Sequence, residues 1–115
     1  MNKKLNYYIG IASEYIAALY LKCKLYKILS IRYRCPFGEI DIIAKKGTCI
    51  IFIEVKKRQS HLTESISAKA AQRIYNSSSY YIARNPKTQN LNARIDLIQL
   101  NKFFIPKHMQ NYINW

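Results

Sequence analysis

With 115 residues, half of them hydrophobic and only 3 Gly and 3 Pro, the chain makes one globular domain with a modest core, which excludes a disordered or multidomain organisation. Its 19 Lys+Arg against 6 Asp+Glu give a formal charge of +13, pointing to a polyanionic partner, either nucleic acid or an anionic membrane surface. Richness in Ile, Lys, Asn and Tyr also follows from an AT-rich genome, which raises lysine without any function, so charge alone does not decide the matter. Cys23, Cys35 and Cys49 form no CxxC pair, and the only histidines are His61 and His108. Neither a zinc site nor a disulfide framework is expected, and reduced thiols in a cytoplasmic protein are the plain reading.

Lys3 and Lys4 ahead of an apolar run resemble a secretion signal. Glu14 interrupts that run and no small-residue cleavage site follows, so neither a signal nor a membrane segment is expected. Ile9, Ala12, Ile16, Leu19 or Tyr20 and Cys23 recur at helical steps and predict a helix over 6–24 with that face buried. Gly10, Glu14, Ala17, Ala18 and Leu21 share the other side, so covering on two sides is expected. Small neighbours let backbone approach the Glu14 carboxylate; the plainer alternative leaves Glu14 in solvent. Residues 27–34 alternate as a strand, followed by a turn at 35–38. Residues 38–58 read as a hairpin around a turn at 45–48, where Gly47 supplies the bend. After a polar loop at 59–64, Ser65 or Ser67 caps a second helix that runs to about Arg84 and ends at Asn85 and Pro86. Residues 93–100 are another strand, and 102–115 give a last short strand or a tail. Both faces of the hairpin arms are apolar, so helices should cover the sheet on both sides. The expected fold is an α/β (α+β) three-layer domain in the order α-β-β-β-α-β.

The hairpin holds Glu39, Asp41 and Glu54, half the acids of a strongly basic chain. Residues two apart on a strand share a face, which groups Glu39 with Asp41 and Glu54 with Lys56. A three- or five-residue loop sends these pairs to opposite faces unless a bulge corrects it. If Lys46 and Gly47 make a two-residue loop, Lys45 pairs with Thr48, Asp41 with Phe52 and Glu39 with Glu54, and all four side chains converge; a four-residue loop at 45–48 keeps that register. Asp41 and Glu54 are then diagonal neighbours, roughly 7 Å apart. They repel by about 2 kcal/mol at an effective dielectric of about 20. A divalent cation removes that penalty, and carboxylates without His or Cys suit Mg²⁺ or Mn²⁺. Lys56 would then position a water. The alternative is a surface ladder of Glu and Lys ion pairs.

The run from Ile28 through Arg32, Arg34, Gly38, Glu39, Ile40 and Asp41, followed by Phe52, Ile53, Glu54, Val55 and Lys56, resembles the YraN family of small bacterial endonuclease-like proteins. The likeness extends to Glu14, Ala17 and Ala18, to Arg94, Ile95 and Asp96, and to the segment from His108 to Ile113. It implies a restriction-endonuclease-like domain over residues 1–115, with the PD-(D/E)xK metal site shared with Holliday-junction resolvases. Asp41, Glu54 and Lys56 take the motif positions, Glu14 matches the first-helix acid, and Glu39 belongs to the GEID pattern. Ala70 stands where the family carries Lys, while Ser13 and Leu25 replace glycines.

On the second helix Lys69, Arg73, Asn76 or Ser77, Tyr80 and Arg84 form a basic stripe suited to a phosphate backbone, beside a buried side of Ala71, Ile74, Ser78 and Tyr81 or Ile82. Its alternative is an ordinary solvated face. Arg32, Arg34, Lys57 and Arg58 flank the acids. Asp96, beside Arg94, reads as structural. Together with the resemblance, these features lead to the expectation of a Mg²⁺- or Mn²⁺-dependent nuclease acting on DNA ahead of RNA, branched forms included. The alternative is a non-catalytic nucleic-acid-binding protein of the same fold. No membrane partner is expected, because a basic amphipathic helix with Trp or Phe is missing. Analogy with resolvases adds a homodimer.

Overall fold

The computed structural model describes residues 3–57 and 66–114. Helix α1 (Lys3–Cys23) leads into strands β1 (Lys27–Cys35), β2 (Gly38–Lys46) and β3 (Cys49–Lys57). Helix α2 (Ala68–Arg84), a 3₁₀ turn (Pro86–Thr88) and strands β4 (Asn92–Leu100) and β5 (Pro106–Ile113) complete the chain. The expected order is observed with one further strand. The sheet runs β1-β2-β3-β4-β5, with β3 and β4 parallel and the other neighbours antiparallel. Ser67 caps α2 by accepting a hydrogen bond from the Ala70 N–H at 3.1 Å. Ser65, Arg58 and the polar loop lie outside the described residues.

Each face of the sheet has its own core. Ala17, Ala18 and Leu21 of α1 pack on Ile42, Ala44, Ile51, Ile53 and Ile98, while Ile74 of α2 packs on Ile40, Ile43, Phe52 and Ile95. This is the three-layer arrangement that apolar residues on both strand faces require. The buried side of α1 differs from the expected one. Ser13, Ala17, Ala18 and Leu21 face the sheet, whereas Ala12, Leu19 and Cys23 are exposed. Small side chains let the helix axis approach the strands closely, so the face with less bulk won. None of the described helices is long and apolar enough to cross a membrane.

Leu25 ends α1 with φ 70 and is 85% exposed. Its N–H and that of Tyr26 donate to the Lys22 and Leu21 carbonyls, a helix terminus that favours Gly. Leu25→Gly is therefore expected to stabilise the protein by about 0.5–1 kcal/mol, the left-handed penalty less the entropy of a freer chain, read from urea unfolding.

A second polar assembly locks β5 to the sheet. Asp96 is fully buried and accepts from Arg94 Nε (2.8 Å) and Nη2 (3.0 Å), His108 Nε2 (2.7 Å) and the Asn111 N–H (2.8 Å). The Lys24 ammonium, which can only donate, lies 3.2 Å from His108 Nδ1, so the ring proton sits on Nε2, facing Asp96. Burial opposes the charge on Asp96. Hydrogen bonds from His108, Arg94 and Asn111 outweigh it and hold the carboxyl below its ordinary range.

Candidate metal centre

Pairing between β2 and β3 runs from Lys46↔Cys49 to Ile42↔Ile53. This corrects the expected register by two residues, because the loop is Gly47 and Thr48, with Gly47 at φ 59. A shift of two preserves which residues share a face. Continued one residue past its last pair, this register would bring Asp41 from the diagonal to opposite Glu54, and Glu39 no longer faces Glu54. Beyond Ile42 the ladder forks. The Val55 N–H donates to Asp41 Oδ2 at 2.8 Å, so a side chain occupies the place of a backbone partner.

Next to Asp41, β1 contains a fault. Arg32 has φ 60, and the strand changes face across it: Ile31 belongs to the α1 core and Tyr33 to the α2 core. Their β2 partners Ile42 and Ile40 change face in the same way. Asp41 lies at the crossover, so its carboxylate meets Glu14 from the α1 side and Glu54 from the α2 side. Ligand oxygens of Glu14, Glu39 and Asp41 all lie within 4.8 Å of one another. Glu54 falls outside that trio but lies close enough to Asp41 for that carboxylate to disfavour its anion. Lys56 follows on the same face of β3, where its charge favours the Glu54 anion.

Burial, then the Asp41 charge, push the Glu14 carboxyl up to about 7, against the opposing pull of Arg32. Glu54 is displaced in the same direction by burial and by its contact with Asp41, against Lys56 and Arg73. An unfolded chain releases the Glu14 proton near 4.5, whereas the folded chain holds it to about 7. Between those values the folded state binds more protons, so stability falls as pH rises, by about 3 kcal/mol in full. The melting temperature in chelator should decline across this window, and Mg²⁺ should offset the decline at the upper end. A flat profile in chelator would contradict the geometry.

Arginines provide counter-charge. Arg32 Nε stands 3.7 Å from both Glu14 Oε1 and Glu39 Oε1, beyond hydrogen-bond range. Arg34 Nε meets Glu39 Oε2 at 3.1 Å, and Arg73 Nη2 meets Glu54 Oε2 at 3.2 Å. Of the cations expected to flank the acids, Arg34 touches Glu39 and Arg32 stands between Glu14 and Glu39, while Arg73 of the α2 stripe meets Glu54. Arg73 reaches Glu54 by passing over Gly38, where an added Cβ would lie 2.7 Å from its Cγ and Cδ; Gly38 also has φ 142. Lys69 is exposed on α2, Ser77 is buried and leaves Asn76 on the stripe, and Tyr80 carries Arg84 over its ring at 5.2 Å. Lys57 takes the other face of β3 and lies 4.6 Å over Phe104. Sequence reasoning missed the Val55 N–H and the left-handed Arg32. A backbone donor and a backbone angle leave no residue-type signature here.

The donors are carboxylate oxygens alone, and Glu14 Oε1 is buried without a hydrogen-bond partner among the described residues. An orphaned hard donor beside two more carboxylates fits Mg²⁺ or Mn²⁺.

A small three-layer α+β protein with carboxylates gathered where its sheet forks is the class that fold and site define. Within it, the chain belongs to the Uncharacterised protein family UPF0102, whose sequence model matches residues 13–100. The resemblance to the YraN family drawn from the hairpin pointed the same way. A UPF0102 protein of Rhizobium etli is 39% identical over 101 residues, covering 86% of this chain and 83% of the relative. One from Ehrlichia ruminantium is 45% identical over 89 residues, covering 77% and 70%. Another, from Nitrobacter winogradskyi, is 33% identical over 105 residues, covering 90% and 89%. The matched span contains every acid of the centre and stops before His108.

Proposed function

We propose that the protein is a metal-dependent nuclease that hydrolyses phosphodiester bonds of DNA, branched forms included. The observation that carries this reading is the placing of Glu14, Glu39 and Asp41 oxygens within 4.8 Å, one of them orphaned, in a chain of charge +13. Asp41, Glu14 and Glu39 would hold the ion, with Glu54 beside them. Bound Mg²⁺ or Mn²⁺ supplies electrophilic stabilisation of charge on the phosphate. Lys56 orients the attacking water from the Glu54 face. Arg34 and Lys69, both exposed, hold the phosphate backbone and carry no sequence information, so the enzyme selects by shape.

A second reading, nucleic-acid binding without turnover, is favoured by the arginines, which already neutralise part of the acid charge. Purified protein should cleave a panel of linear, flapped and four-way DNA with Mg²⁺ or Mn²⁺. Lys56→Ala should remove the activity and leave the metal's calorimetric binding signal intact. Salt-sensitive DNA binding with no heat of metal binding would select the second reading.

A further inference from the structure

Among the described residues, nothing packs on the outward face of α1. Leu5, Tyr8, Tyr15 and Leu19 are 50%, 55%, 59% and 62% exposed, and Ala12 between them is also exposed. They recur at steps of three and four, the narrow seam of a paired helix rather than the broad stripe of one packed on a core. Between Lys4 and Lys22 the only charged residue is Glu14, which is turned to the sheet. At the chain's density of 19 Lys+Arg in 115, those 17 positions would carry about three basic residues if the face were simply solvated.

We infer that this seam pairs with the same seam of a second copy, antiparallel about a two-fold axis through Ala12. The order of side chains along it, Leu-Tyr-Ala-Tyr-Leu, reads the same in both directions, as an isologous contact requires. Leu5 packs against the partner's Leu19, Tyr8 lies beside the partner's Tyr15, and Ala12 allows close approach where the helices cross. Opposed helix dipoles favour this sense over the parallel one. A face without cations is also where two copies of charge +13 meet with least repulsion. The four large side chains offer on the order of 500 Å² per copy, or about 1,000 Å² for the pair, the lower end of specific interfaces. The dimer does not depend on what the acids bind.

Sedimentation equilibrium of the full chain at about 100 μM, in enough salt to screen its charge, should give a dimer. Tyr8→Lys with Tyr15→Lys should give a monomer of unchanged circular dichroism. Tyr8→Lys with Tyr15→Glu should restore the dimer, because each new cation then meets the opposite charge across the two-fold. A monomeric wild type overturns the proposal, as does a dimeric double-Lys variant or a Lys/Glu variant that stays monomeric. Wild type that stays monomeric but adsorbs to phosphatidylserine vesicles through this face also overturns it, in favour of a lipid surface.

Discussion

Asp41→Asn is expected to raise the melting temperature measured in chelator while lowering Mg²⁺-dependent cleavage by about 10³-fold. The gain follows from the crowd around this carboxylate, which raises the Glu14 and Glu54 pKa values and stands at the face crossover beside Arg32. Two carboxylates about 5 Å apart repel by roughly 3 kcal/mol at an effective dielectric of about 20. Because the Glu14 proton is held to about 7, only part of that is present at neutral pH. Removing it should stabilise the fold by about 1–2 kcal/mol, or roughly 4–8 °C. The amide oxygen of Asn still accepts from the Val55 N–H, and its NH₂ donates to the neighbouring acids, so the fork survives. Differential scanning calorimetry with and without Mg²⁺ measures the stability change, and single-turnover cleavage measures the activity. If the variant melts lower than wild type in chelator, Asp41 serves the fold, and the centre was not assembled at the cost of stability.

Asp96→Ala should act in the opposite sense and cost about 3–5 kcal/mol, as breaking a buried, hydrogen-bonded charge pair does. Its carboxylate collects four donors, and truncation strands the Arg94 guanidinium, the Nε2–H of His108 and the Asn111 N–H together. Arg94 keeps its bond to Tyr26 at 3.0 Å, which limits the loss but leaves its half-buried charge without a counter-ion. A total stability of about 5–15 kcal/mol leaves little margin after such a loss. The pairing register of β4 with β5 shifts between Ile95 and Leu97, and Asn111 sits at φ 52, so the edge strand is held at its irregular point by this one side chain. Urea unfolding should show the full loss, with protection of β5 amides falling first. A cost under about 1 kcal/mol would mean that water replaces the carboxylate.

Alternation of side chains in the hairpin was legible, because a period of two survives any even error in register. Asp41 and Glu54 do meet although Asp41 was paired with Phe52, but the change of face at Asp41, where Ile40 and Ile42 lie in different cores, left no such signal. The register itself depended on which two residues turn, and Lys46, Gly47 and Thr48 allow more than one choice. For α1 the apolar residues run all round the helix, so periodicity favoured the bulky face. Packing chose the small one, where Ala17, Ala18 and Ser13 bring the helix down onto the strands. The route of Arg73 over Gly38 to Glu54 was not legible either, since it joins residues separated by a helix and a turn. Asp96 was readable as structural from Arg94 two positions away. His108 and Asn111 entered only once β5 folded back beside β4.

The fork in the sheet has a spectroscopic consequence. The Val55 amide proton is held by the carboxylate expected to be drawn toward a cation. It should resonate far downfield while Asp41 retains its full charge and move upfield as that charge is shared. A single cross-peak would then follow occupancy of the centre without DNA, turnover or a label, and it should stay unmoved in a protein whose acids merely pair with arginine.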